Sequence, residues 1–165
     1  MSTKWLCDQV PKMSNMFIAA GAVRSLFDGT VISDIDMYGA SPADVKEYES
    51  YLLKKGYCVR KETSRNAVYE KQGHIEIDVV RQWTGSITSI MDSFDFTVCK
   101  AALTLDGYLH TSRSFIEDCT SRILKVDGSI CYPASTYYRI FKYIKYGYTI
   151  GVDTMQQILD AVKEI

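Results

Sequence analysis

Two stretches of this chain place carboxylates at period-two spacing where the pattern otherwise reads as β-strand. Asp34 and Asp36 stand in "SDIDMYG", and Glu76 and Asp78 in "HIEIDVV". Strands avoid aspartate. Alternation sends Asp34 and Asp36 to one face, about 6.6 Å apart along the strand. In the second stretch Ile75, Ile77 and Val79 alternate toward a core, so Glu76 and Asp78 share the opposite face. If the two strands are neighbours, three or four carboxylates converge. Such a cluster either holds protons or binds a divalent cation. Oxygen donors with no Cys or His spacing nearby suit Mg²⁺ or Mn²⁺ rather than zinc. Solvated strand ends are the plainer alternative.

The segment just upstream tips the balance toward chemistry. "AAGAVR" puts Gly21 at a strand-to-helix junction, where bare backbone N–H groups and the helix dipole can receive phosphate. Arg24, one turn in, can add a charge-assisted contact. A glycine turn beside an acidic strand suggests a metal–triphosphate site.

These residues need elements to hold them. "MFIAA" (16–20) reads as a strand, and "GAVRSLFDG" as a short helix closing at Gly29, followed by the strand "VISDIDMY". Ser41 and Pro42 open a helix, with Asp44 completing a capping pattern, Val45, Tyr48 and Leu52 on one face, and Gly56 as terminator. "YCVRKE", "AVYEKQ" and "HIEIDVV" are strand-like, the first two joined as a hairpin by "TSRN". "TGSITSIMDSF" reads as a helix. "FDFTVCKAALTLDGYLH" reads as two strands about an Asp106-Gly107 turn, and "SFIEDCTSRIL" as a helix entering a strand. Residues 4–12 suggest a short opening helix.

After "DGSICYP" the pattern turns helical. Tyr137, Ile140, Phe141, Ile144 and Tyr148 share a helical face, and Arg139, Lys142 and Lys145 form a basic stripe. That stripe, with its crowd of tyrosines, reads first as a solvated face and second as a nucleic-acid contact. Lys54, Lys55, Arg60, Lys61 and Arg65 make another basic stretch, explained by solubility as well as by RNA contact. A last helix beginning near Asp153 is expected to bury Met155, Ile158, Leu159 and Val162. The expected division is residues 1–127 as an α/β head and 128–165 as a helical appendage.

Composition bounds the rest. The chain has 165 residues, 47% of them apolar, enough for a packed core. Net charge is 19 − 20 = −1, so nothing draws the whole molecule to nucleic acid. Five scattered cysteines without CxxC spacing fit free thiols in a reducing cytosol. There is no apolar run long enough for a membrane span, and the N-terminus does not read as a secretory signal. His74 and His110 stand in no ligand or triad spacing and read as structural.

"AAGAVRSLFDGTVISDIDMYG" resembles the signature "GGxVRDxLLG…DxDL" of class II CCA-adding enzymes and bacterial poly(A) polymerases, members of the DNA polymerase β-like nucleotidyltransferase superfamily. "HIEIDVVR" is similar to the family's next acidic strand, ending here in Arg81. "FDFTVCKAALTLDGYLH" is similar to "RRDFTINAxAY…DGxLxD". "FIEDCTSRILKV" and "YPASTYYRIFKYIKYGYTI" resemble "GGxxDLxxxxIR" and the start of the neck. The likeness runs from about Met16 to Ile150.

The resemblance implies an α+β head with a mixed, mostly antiparallel sheet flanked by helices, plus a short helical neck. It implies two Mg²⁺ ions on Asp34 and Asp36, with Asp78 as the third carboxylate, and Gly21 and Arg24 on the phosphates. Asp95 falls in the motif concerned with ribose and nucleotide. The implied reaction joins NMP from an NTP to a hydroxyl, an RNA 3′ end being the expected acceptor, with release of pyrophosphate. Alternatives are a minimal enzyme that modifies a protein or small molecule, and an inactive module that binds nucleotide, RNA or a partner protein. The sequence departs from the family at Ala20 (first glycine), Ser25 (aspartate), and Ser93 and Phe94 (arginine pair). It also lacks the base-reading "EDxxR", and the family's body and tail fall beyond it. A full CCA-adding cycle on tRNA is therefore not expected.

Overall fold

A computed structural model describes residues 1–165. Nine strands and seven helices alternate along the chain. β1 (Met16–Ala19) leads into α2 (Gly21–Asp28), β2 (Asp34–Gly39) into α3 (Pro42–Lys54), and α1 (Thr3–Cys7) precedes them. β3 (Cys58–Glu62), β4 (Asn66–Glu70) and β5 (Glu76–Thr84) follow, then α4 (Ile87–Ser93), β6 (Ala101–Thr104), β7 (Leu109–Thr111) and α5 (Phe115–Ser121). β8 (Ile123–Leu124), α6 (Pro133–Lys145), β9 (Thr149–Ile150) and α7 (Val152–Lys163) complete the chain.

Seven strands form one sheet in the order β3-β4-β5-β2-β1-β6-β7. Every pairing in it is antiparallel except β2 with β5. This is the mixed, mainly antiparallel α+β architecture expected from the sequence. The local signals act as read. Ser41 caps α3 by accepting from the Asp44 N–H, Pro42 occupies the first turn, and Gly29 ends α2 at φ 72°, a left-handed conformation glycine adopts without strain.

One face of the sheet carries Ile18, Ile35, Met37, Ile77 and Leu103, all fully buried against helices. The same hydrophobic cluster takes in Ile140, Tyr143, Tyr148 and Ile158 from the C-terminal region, so head and appendage share a core across residue 127. The other face is open at the Asp34 end. Farther along, Phe17, Tyr38 and Ala102 are covered by Ile90 and Met91 of α4.

Several expectations shift in detail. The opening helix is one short turn, and β2 begins at Asp34 rather than Val31, which is 84% exposed. On α6 the buried set is Thr136, Ile140 and Tyr143, while Phe141 and Ile144 are exposed. The face toward α2 won because Tyr143 bonds into a polar network there. On α7 Thr154 and Ile158 are buried, and Leu159 is exposed.

That network fastens the C-terminal elements to α2. Arg24 Nε lies 2.9 Å from Asp28 Oδ2, both side chains almost fully buried. Arg24 also donates to the Tyr143 and Thr30 hydroxyls at 3.3 Å. Tyr148 donates its hydroxyl to Asp28 at 2.7 Å, and Arg122 donates to the Asp28 and Tyr146 carbonyls. Removing one partner of a buried pair strands the other. Arg24→Met should therefore lower the unfolding free energy by about 3–5 kcal/mol in urea titrations. Arg60→Ala, which breaks a surface pair with Glu76, should cost less than about 1 kcal/mol.

Candidate active site

The parallel pairing sets Asp34 beside Glu76 and Asp36 beside Asp78. Between them along each strand, Ile35, Met37, Ile77 and Val79 point into the core with no exposed surface. A one-residue slip would drive the carboxylates into that core, so the hydrophobic pattern locks the acidic register. Asp34, Asp36 and Asp78 each offer an oxygen, and these atoms lie within 4.8 Å of one another. Glu76 stays outside the cluster. Its carboxylate is drawn off by Arg60, whose Nε is 2.6 Å away.

Burial, reinforced by the Asp34 and Asp78 charges, pushes the Asp36 carboxyl from its ordinary 3.8 up to about 7, with Lys142 of α6 as the opposing cation. Burial also raises Asp78, against the pull of a hydrogen bond from Asn66. The Asn66 amide nitrogen lies 2.8 and 2.9 Å from the two Asp78 oxygens. Its own oxygen accepts from the Thr63 hydroxyl at 2.8 Å.

The donor set suits a hard divalent cation. Three carboxylates crowd one spot without an arginine or lysine in contact, and one is driven toward its neutral form by burial, with the neighbouring charges adding to it. Hard oxygens alone match Mg²⁺ or Mn²⁺.

Gly21 is the first residue of α2, and no side chain caps that helix. The N–H groups of Gly21, Ala22 and Val23 donate to no acceptor within the protein. Ala20, just before them, sits at φ 62°, ψ −122°, a region an alanine enters only with strain. Ser25, where the family has aspartate, bonds back to the Gly21 carbonyl at 2.9 Å.

Arg24 and Asp95, expected on the nucleotide, both make internal bonds. Arg24 is 3% exposed, and its guanidinium is engaged by Asp28, Thr30 and Tyr143 close beside Gly21. Asp28, one helical turn on, and the tyrosines of α6 hold it there. Asp95 is also buried. One of its oxygens takes the Phe96 N–H, and the other takes the Thr136 hydroxyl and Arg139 of α6. Its carboxylate joins α6 to the segment between α4 and β6.

Sequence reasoning missed Asn66, treated only as a turn residue. The signal was available. Once β4 pairs with β5, Asn66 and Val68 fall on the carboxylate face, with Val68 opposite Asp78. Of the basic stripe, Arg139 pairs with Asp95, and the charge of Lys142 opposes the rise of the Asp36 carboxyl. Beside Tyr38, two residues beyond Asp36, a cavity of about 140 Å³ is lined by Trp83, Phe94, Asp95, Tyr132 and Arg139. A larger one, about 710 Å³, opens at the far end of the strands by Met16, Phe17 and Thr104.

Comparison with known proteins gives the following. A model described as Gabija anti-defense 2 family protein matches residues 2–122. A curated protein named Gabija anti-defense 2, from Bacillus phage SPbetaL7, is 27% identical over 142 residues, covering 85% of this chain and 35% of its own length. Among solved structures, a CCA-adding enzyme in apo form I superposes with a TM-score of 0.68 at 20% identity, over 98% of this chain and 42% of that one. A tRNA nucleotidyltransferase complexed with a primer tRNA and an incoming ATP analog gives a TM-score of 0.63 at 17% identity, over 90% and 46%. The fold is that of the CCA-adding nucleotidyltransferase head. The chain spans about a third of the curated relative and under half of the solved ones.

Two measurements check this geometry. Between about pH 4 and 7 the native state keeps a proton on Asp36 that the unfolded chain has lost, so metal-free stability falls as pH rises through that window and levels off above it. Melting curves should show the decline, Asp36→Asn should flatten it, and Mg²⁺ should raise the wild-type melting temperature more at pH 8 than at pH 5. Ala20→Gly should stabilise the metal-free protein by about 1 kcal/mol in urea, because glycine reaches the same backbone angles without strain.

Proposed function

The chain belongs to the Gabija anti-defense 2 family, and on that footing we propose that it is a metal-dependent nucleotidyltransferase head acting against a component of Gabija defense. It would transfer NMP from an NTP to a hydroxyl. The acceptor oxygen forms a bond to the α-phosphorus, the bond from that phosphorus to the β-phosphate oxygen breaks, pyrophosphate leaves, and the hydroxyl proton passes to water. The observation that carries this reading is the convergence of Asp34, Asp36 and Asp78 on the open face.

Asp34, Asp36 and Asp78 would hold Mg²⁺ or Mn²⁺. Bound there, the metal supplies Lewis acidity, lowering the pKa of the acceptor hydroxyl and offsetting triphosphate charge. The free N–H groups at the start of α2 would receive phosphate oxygens, with the helix dipole behind them. Lys142 would add positive charge beside Asp36. The cavity at Tyr38, Trp83 and Tyr132 offers aromatic faces to a base. The family's name favours an acceptor in the defense machinery over the RNA 3′ end that the motifs alone suggest.

A second reading, a module that binds nucleotide or partner without turnover, draws support from Arg24 and Asp95 being committed to internal bonds. One experiment separates the two. Each α-labelled NTP is incubated with the protein and Mg²⁺, alone, with tRNA, or with purified Gabija components. Label on a Gabija component, abolished at least about a thousandfold by Asp34→Ala with Asp36→Ala, is the expected result. Label on tRNA would move the acceptor back to RNA. Absence of label everywhere, with NTP still raising the melting temperature, would establish the binding module instead.

A further inference from the structure

We infer that Asn66 is a positioning residue that restricts Asp78 to monodentate coordination and so makes the carboxylate site discriminate Mg²⁺ and Mn²⁺ from Ca²⁺. The inference rests on the metal-dependent reading above and adds the residue that sets which cation is taken.

The Asn66 amide lies against the Asp78 carboxylate. Its nitrogen is 2.8 Å from one Asp78 oxygen and 2.9 Å from the other, so it sits astride the carboxylate. A cation held by both oxygens of a carboxylate would need that same place, between them and in their plane. With the amide there, Asp78 can offer a cation only an outward lone pair of one oxygen. Mg²⁺ is bound in that manner, through single carboxylate oxygens in an octahedral shell that keeps several waters. Ca²⁺ takes six to eight oxygens and readily uses bidentate carboxylates, so a forced monodentate ligand costs it more.

Asn66 is itself fixed. An asparagine can turn its amide by half a rotation and present oxygen instead of nitrogen. Here the Thr63 hydroxyl donates to Asn66 Oδ1 at 2.8 Å, which keeps the nitrogen toward Asp78. Thr63 is held in turn by the hairpin, where its hydroxyl also accepts the Arg65 and Asn66 N–H groups at 3.1 Å. Arg81 clamps the base of that hairpin, donating to the Thr63 carbonyl at 3.0 Å and pairing with Glu49 and Glu62. The third carboxylate thus has an outer support running from α3 through the β3–β4 turn to the metal face. Partners of this kind typically change metal affinity by 10–100-fold when removed.

The test is direct titration of the full chain with Mn²⁺, Mg²⁺ and Ca²⁺ by calorimetry, with Mn²⁺ paramagnetic resonance as a second readout and no nucleotide present. Asn66→Ala should weaken Mn²⁺ and Mg²⁺ by about 10–100-fold while Ca²⁺ changes far less or tightens, so that the Mg²⁺/Ca²⁺ preference narrows. Thr63→Val, which leaves the amide in place but frees it to turn, should move all three in the same directions by less, and serves if Asn66→Ala melts out. Mg²⁺ and Ca²⁺ weakening equally in the variants would mean simple loosening of the hairpin and would overturn the inference, as would unchanged affinities. If the wild-type chain takes up no Mn²⁺ at all, the metal-dependent function fails instead, and the two failures are told apart.

Discussion

Burial of Asp36 and Asp78 beside Asp34, against the mutual repulsion of their charges, is the constraint around which this molecule is arranged. They are register partners in the sheet's one parallel pairing, with Asp34 a pleat away. An ordinary fold would relieve such crowding with an arginine, and this chain does so for the neighbours. Glu76 receives Arg60, and Asp95 receives Arg139. The three clustered carboxylates take part in no ion pair. What they receive is weaker: an amide on Asp78, the charge of Lys61 near it, and the charge of Lys142 near Asp36. Cations supplied to the flanks and withheld from the centre leave the centre short of positive charge, and perturbed carboxylates in that condition mark functional sites more often than structural ones.

The same repulsion explains why the rest must be rigid. A soft scaffold would let the strands twist apart or the register slip. Ile35, Met37, Ile77 and Val79 prevent slippage from below, since moving them outward would expose four fully buried side chains at a cost of about 1.5–3 kcal/mol each. From the side, α6 is fastened twice: by Asp95, which gathers Thr136 and Arg139, and by Arg24 and Cys99, which meet Tyr143. Lys142 lies on the same helix, exposed, between Arg139 and Tyr143 in sequence, and its charge opposes the rise of the Asp36 carboxyl.

Much of this was legible before the fold was known, for reasons that differ by residue. Alternation in "SDIDMYG" and "HIEIDVV" disclosed the carboxylate face because both periods are local and strong. Ser41, Pro42, Asp44 and Gly29 disclosed helix ends because caps act within three or four residues. The internal bonds of Arg24 and Asp95 were only partly legible: the Arg24–Asp28 pair is local, at i,i+4, but Tyr143 lies 119 residues from Arg24 and the helix partners of Asp95 lie 41 and 44 residues on. Asn66 was overlooked for a subtler reason. A turn signal and a second role in the same residue compete for one interpretation, and the turn is the commoner.

The departures from the family motif can now be weighed against geometry. The CCA-adding signature that the sequence resembles has an arginine pair where this chain has Ser93 and Phe94. Phe94 packs edge-on against Tyr38, with ring centres 5.8 Å apart, which extends the apolar surface beside the carboxylates. A guanidinium nevertheless stands at this place, because Arg139 reaches from α6 to Asp95 and lies over the Phe96 ring at 5.3 Å. Positive charge has been moved from the motif strand to the helix that faces it. A chain losing function would be expected to lose the charge outright, and to keep no register for three unpaired carboxylates. Here the aspartates keep their register on the parallel strands, and the cation stands on the facing helix.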